Sequence, residues 1–272
     1  MSRVVIEAGR SETQYWKDLW RYRELFYFLA WRDILVRYKQ TTIGIGWSLI
    51  RPLLQIVVFT VIFGKLAGLP SERLPYPLLV CAAMLPWQLF SNGLLECSNS
   101  LISNSALISK IYFPRLVVPT STLVVCLVDF LISGVILAGL MAWYHVSPSW
   151  RMLTLPFFIA ITCATAMGAG LWLGALNVKY RDFRYVVPFI IQMGMFLSPV
   201  GFSNRVIPEK WQLVYSLNPL VGIIEGFRWA IGGGPANFLR IECLYSLGVV
   251  AFLLIFGIWY FRRTERFLVD VM

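Results

Sequence analysis

Few polar side chains interrupt the long apolar runs of this chain, and their spacing is what could do chemistry. Gln55, Phe59 and Phe63 recur every four residues in one run, and Phe189, Gln192 and Phe196 do nearly the same in another, so each trio shares one face of a helix. Rings on such a face stack on the apolar sides of pyranose sugars while amides bond hydroxyls. The same stripes also serve helix packing, and both readings stand at this level. Arg51 sits beside Pro52 in the first run. An arginine at the centre of a span costs about 2.5–3.5 kcal/mol on insertion scales, so it faces protein or water unless it snorkels to the interface. Asp129 is a lone acid in a third run, expected to be paired or hydrogen-bonded rather than catalytic.

The elements that must position these groups are membrane spans. The chain has 272 residues, 58% hydrophobic and 14% charged, far from the composition of a soluble globular domain. A hydrocarbon core needs about 20 apolar residues of helix. Six runs qualify, at roughly 43–66, 76–96, 117–143, 153–176, 185–203 and 241–261, and define an all-α membrane domain over 43–272 behind an N-terminal arm, 1–42. No short apolar core with a cleavage site marks a secretory signal in the first forty residues. Ala166, Gly170 and Gly174 form a small-residue row in the fourth run that permits close helix approach, within one subunit or between two.

Lys and Arg set the orientation. They crowd the arm (Arg21, Arg23, Arg32, Arg37, Lys39), the second connection (Lys110, Arg115), the fourth (Lys179, Arg181, Arg184) and the tail (Arg262, Arg263, Arg266), which puts both termini in the cytoplasm. The net charge of +10 is this asymmetry plus attraction to anionic lipid, and no nucleic-acid partner follows from it. A helix over 16–38 would gather Trp16, Trp20, Tyr27, Trp31, Ile34, Leu35 and Tyr38 on one face, the composition of a helix lying in the membrane interface. It reads either as an anchor or as a gate at the cytoplasmic entrance. Between the second and third spans, Asn104–Pro119 is too polar for lipid and too apolar for an ordinary loop. Leu107, Ile108 and Ile111 give it a sticky face beside Lys110 and Arg115, suited to receiving force from a soluble partner. The stretch 204–240 holds apolar pieces too short to span, broken by Pro, Gly, Glu225 and Arg228, and reads as outer re-entrant helices that could gate an exit.

Several classes drop out. The five cysteines are scattered without a Cys-x-x-Cys pair, and the single His145 lies at a helix end, so neither a disulfide framework nor a metal site is expected. An integral-membrane transferase acting on lipid-linked sugars would need clustered acids or a base. Here the acids within the runs are isolated, and Asp182 sits in a basic loop. No Gly-x-x-x-x-Gly-Lys-Ser/Thr loop is present to cradle ATP.

Four pieces, in order, resemble the polysaccharide-exporting branch of the ABC-2 transporter permeases. They are Tyr38-Lys-Gln-Thr-Thr-Ile-Gly-Ile-Gly-Trp-Ser-Leu-Ile-Arg-Pro-Leu53, Ser109-Lys-Ile-Tyr-Phe-Pro-Arg-Leu-Val-Val-Pro119, Asn177-Val-Lys-Tyr-Arg-Asp-Phe183 leading to Ser198-Pro199, and Asn218-Pro219 leading to Glu225-Gly-Phe-Arg228. The resemblance implies a homodimer in the cytoplasmic (inner) membrane bound to two copies of an ABC ATPase subunit. ATP and Mg would sit on that partner, with no cofactor on this chain, and the cargo would be a lipid-linked O-antigen, capsule or teichoic-acid polymer. It implies that Asn104, Leu107, Ile108, Lys110, Ile111, Phe113 and Arg115 couple to the ATPase. The first and fifth spans would line the conduit with the two aromatic–amide trios. Arg37, Lys39, Arg51 and, more weakly, Arg181 would meet a lipid pyrophosphate head, and Asn218, Pro219, Glu225 and Arg228 would border the exit. An exporter of a drug or small lipid is the competing reading within the same superfamily.

Overall fold

The computed structural model describes residues 12–39, 46–70, 74–234 and 241–271, with no strand among them. The N-terminal arm forms two helices, α1 (Glu12–Arg21) and α2 (Arg23–Lys39), where one continuous helix over 16–38 was expected. Of the expected aromatic face, Trp16, Trp20, Tyr27, Trp31 and Leu35 are exposed, whereas Tyr38 turns inward to Asp129; Leu29 and Ala30 are buried against the helix bundle.

The first span is α3 (Gly46–Phe59), carried on by a π-helical turn, Thr60–Leu66. The extra residue per turn re-aims the side chains beyond Phe59, a feature often found at functional sites. Then come α4 (Tyr76–Ser103), the one-turn α5 (Ser105–Ile108), α6 (Val117–Trp143) and α7 (Leu155–Lys179), the last preceded by a 3-10 turn at Trp150–Thr154. A shorter helix α8 (Phe183–Phe196) follows, then α9 (Glu209–Tyr215), α10 (Pro219–Gly232) and the long α11 (Ile241–Val271).

Among the described residues, five helices are long and apolar enough to cross a membrane. The fifth expected span, 185–203, is corrected in form: its helix stops at Phe196, and at 1.5 Å per residue α8 reaches only about 21 Å. Residues 198–201 continue as buried non-helical chain. Such backbone is tolerated at membrane depth only where protein satisfies its polar groups. Arg228 on α10 does so, donating from Nη2 to the Pro199 and Val200 carbonyls at 2.7 and 3.3 Å and from Nη1 to the Phe202 carbonyl at 3.0 Å.

Helix α4 is the hub, packed on α6, α7 and α10, with 78% of its most apolar window buried. Glycines set the tightest contacts. A Cβ on Gly170 would stand 2.6 Å from the Cys97 Cβ on α4, and one on Gly168 would stand 2.6 Å from the α11 backbone at Leu253. The small-residue row thus packs within the subunit, with α7 pressed between two neighbours. The span containing α3 is the opposite case, with 11% of its window buried.

Candidate functional site

Three places in this frame gather polar side chains. The first is a cavity of about 360 Å³ bounded by α2, α3, α4 and α6. Helix α3 supplies Trp47, Ser48, Arg51 and Gln55, and α4 supplies Trp87, Gln88 and Asn92. Arg37 and Tyr38 close it from α2, and Asp129 and Ser133 from α6. Asp129 is the knot of the wall. It accepts from the Tyr38 hydroxyl and from Ser48 Oγ at 3.1 Å, and it pairs with Arg37 at 3.1 Å. Arg37 also lies 3.6 Å from Glu96. Burial, and then the bond to Asp129, push the Tyr38 phenol up to about 12, so it stays protonated and donating throughout the physiological range. Gln88 Nε2 donates to Gln55 Oε1 at 2.7 Å, joining α4 to α3. The Arg51 guanidinium lies over the Trp47 ring, 5.9 Å from its centroid, and has no carboxylate partner among the described residues.

The second place is the connection after α4. Asn104 ends α4, with its Nδ2 donating to the Ser100 carbonyl at 3.0 Å and its Oδ1 accepting from Arg32 Nη2 of α2 at 2.8 Å. Beyond it Ile108 and Phe113 turn inward onto Leu29 and Phe261, and Leu107 packs beside them. Lys110, Ile111 and Tyr112 are left on the surface. Arg115 is tied to the end of α11: its backbone N–H donates to Glu265 Oε1 at 3.1 Å, and its side chain donates to the Glu265 carbonyl. Arg262 lies 4.5 Å from the Tyr15 ring centroid, so α1 and the end of α11 meet at this same end of the molecule.

The third place is the opposite end. Asn218 caps α10, accepting from the Leu220 N–H at 3.0 Å and donating to Ser198 Oγ at 2.9 Å. Pro219 starts the helix, and Arg228 adds a 3.3 Å contact with Glu225 to its three carbonyls.

The sequence profile of the ABC-2 type transporter family matches residues 24–231, which takes in the cavity, the connection from Asn104 to Arg115 and the end built on Asn218 and Arg228, but not α1 or the end of α11. The chain belongs to that family. Among its relatives, the O-antigen export system permease protein RfbA of Klebsiella pneumoniae is 26% identical over 250 residues, covering 92% of this chain and 95% of the relative. RfbA of Myxococcus xanthus is 26% identical over 215 residues, 78% and 82% of the two chains. The polysialic acid transport protein KpsM of Escherichia coli is 23% identical over 229 residues, 79% and 86%.

The ABC-2 chain brings together some of the expected site residues and separates others. Arg37, Arg51 and Gln55 share the cavity, while Lys39 is exposed at the end of α2 and Arg181 is exposed in the turn before α8, neither of them lining it. Phe59 and Phe63, with ring centroids 5.3 Å apart, are half-buried against Gly201 in the chain after α8, which limits them as an open lining. Phe189, Gln192 and Phe196 remain exposed on α8. Of the coupling set, Ile108 and Phe113 are core residues. Arg32, which donates to Asn104, and the cavity residues Trp47, Gln88 and Asn92 were not singled out as site residues from sequence. A signal existed for two of them, because Gln88 and Asn92 stand four apart in an apolar run.

Proposed function

We propose that this ABC-2 chain is the permease subunit of an ATP-driven exporter that carries lipid-linked polysaccharide across the cytoplasmic membrane. The observation that carries the reading is the match over more than nine-tenths of the chain to an O-antigen export permease, joined by a polysialic acid transport protein. The chemistry of the unconsumed surfaces supports it. Helix α3 presents Arg51 and Gln55, and α8 presents Phe189, Gln192 and Phe196, on faces the subunit leaves open. Polar groups in a span must face protein or water, so a second copy of the chain closes these faces around a conduit. Aromatic rings there hold sugars loosely enough to release them.

The basic end, with α1, α2, α5 and the end of α11, faces the cytoplasm, and both termini lie there. Two copies of a separate ABC ATPase, holding ATP and Mg, dock at Lys110–Tyr112. Closure of that pair pushes the connection, and the Arg32–Asn104 clasp passes the push to α2. Arg51 in the cavity, with Lys39 and Arg181 exposed on the surface, draws the pyrophosphate head of the carrier lipid to the entrance, while Arg37 is held by Asp129 and Glu96. Asn218, Pro219, Glu225 and Arg228 hold the exit end.

The experiment is depletion of the protein followed by localisation of the surface polysaccharide by extraction and immunogold labelling. Finished lipid-linked polymer trapped inside the cell is the expected result. Absent or stunted polymer with accumulating precursors would point to a synthetic step instead, and unchanged surface polymer would mean a different cargo, such as a drug or small lipid.

A further inference from the structure

The cavity between α2, α3, α4 and α6 carries more than an entrance charge. Its two arginines are not equivalent. Arg37 is spent on Asp129 at 3.1 Å and Glu96 at 3.6 Å. Arg51 has no carboxylate partner among the described residues and lies over the Trp47 ring. It lies about 7.5 Å along α3 from Gly46 at 1.5 Å per residue, inside the span rather than at its edge. Apart from Asp129, which Arg37, Tyr38 and Ser48 already engage, and the serines, the cavity lining offers amides and indoles: Gln55 on the same helix, Gln88 and Asn92 one turn apart on α4, Trp47 and Trp87. Amides both donate and accept, which suits a ring of hydroxyls. Indole faces suit the apolar side of a pyranose. At about 360 Å³ the space lies in the range of about 300–1,000 Å³ usual for small-molecule sites.

We propose that this cavity is a glycosyl-phosphate site, one per subunit, that holds the sugar attached to the lipid phosphate as the head of the cargo enters. Arg51 takes the phosphate oxygens through its fork of N–H donors, held in place by the Trp47 ring. Gln88 and Asn92 take the sugar hydroxyls and so select the first sugar. The Gln55–Gln88 bond sets the orientation of both amides and opens to admit the ligand. The proposal deepens the polysaccharide-export reading and rests on it. A bare phospholipid headgroup shares the phosphate but not the sugar, so the amides separate the two.

The test measures binding of labelled N-acetylglucosamine 1-phosphate, with methyl phosphate for comparison, to the full chain in lipid nanodiscs. The variants are Arg51→Gln, Arg51→Lys and the double variant Gln88→Ala/Asn92→Ala. Arg51→Gln is expected to weaken both probes at least tenfold and Arg51→Lys to recover part of the loss. The amide double variant is expected to weaken the glycosyl phosphate at least fivefold and leave methyl phosphate within twofold. Equal binding of both probes, insensitive to the amides, would reduce the cavity to a general anion or phospholipid site. No binding to the wild-type chain, or binding unchanged in Arg51→Gln, would overturn the proposal. The same variants are then expressed in cells depleted of the native protein. Restored surface polymer with wild type and with every variant would sink the site while leaving export intact. If wild type itself makes no difference to surface polymer, the export reading has failed.

Discussion

At the residue scale, the recurring theme is one polar side chain answering for backbone or charge that lipid cannot satisfy. Arg228 is the plainest case, with its guanidinium on the carbonyls of Pro199, Val200 and Phe202. Leaving buried carbonyls unpaired costs about 1–3 kcal/mol each. Arg228→Leu is therefore expected to destabilise the chain by about 3 kcal/mol or more, read as a lower melting temperature in detergent and reduced abundance in membranes. Lys in its place places one charge but lacks the fork, and should recover only part of the loss. Asp129 plays the matching role at the other end, where Tyr38, Ser48 and Arg37 converge on one carboxylate. Removing that charge strands Arg37 beside Glu96 alone. Asp129→Asn should release α2, seen as faster proteolysis or hydrogen exchange across 32–39 with the spans still protected.

At the element scale, glycines decide which helices approach and which stay apart. Gly170 meets Cys97 and Gly168 meets the α11 backbone, whereas Gly139 on α6 has nothing within 4 Å of where its Cβ would stand. Overpacking a close crossing costs about 1–3 kcal/mol. Gly168→Val is expected to lower thermal stability by that order and Gly139→Ala to leave it unchanged, both measured as melting temperature in the same detergent. The same scale contains the clasp between α2 and the connection after α4, a single 2.8 Å bond from Arg32 to Asn104. If this bond carries the push of the ATPase, Asn104→Ala should leave the complex assembled while ATP hydrolysis continues and polymer export falls severalfold. Loss of assembly instead would place Asn104 in the docking surface. Ile111→Asp, on the exposed tip, is the variant expected to abolish co-purification of the ATPase.

At the scale of the whole molecule, the asymmetry of burial is the informative quantity. Helix α4 is wrapped on most sides, while the span containing α3 is 11% buried over its most apolar window. Lipid can cover Leu54 and Val58, but it is a poor neighbour for Arg51 and Gln55, which argues for a second subunit and a wetted conduit along α3. A cysteine at Leu54 should therefore form an oxidant-dependent crosslink between two copies in native membranes. A cysteine at Phe252, equally exposed on α11, should not. Crosslinking at 252 alone would move the dimer contact to the α11 side and leave α3 facing lipid.

What the amino-acid sequence determined was what depends on composition along a single helix. Apolar run length is enough to place the spans from α3 to α7 and α11, because a bilayer demands a minimum length whatever the neighbours are. Trp and Tyr spacing along α2 suffices to pick out part of its outward side, where Tyr27 and Trp31 are exposed. Other features depended on partners distant in the chain. The end of α8 at Phe196 depends on distant donors to the broken backbone: Arg228, thirty-two positions on, donates to the Pro199, Val200 and Phe202 carbonyls, and Asn218 donates to that of Leu197. The division of labour between Arg37 and Arg51 follows from Glu96 and Asp129, which lie on other helices. Ile108 and Phe113 carry the apolar character of a docking face, yet Leu29 and Phe261 already occupy them. An apolar side chain states only that it will leave water or join lipid; which surface receives it is a property of the packed molecule.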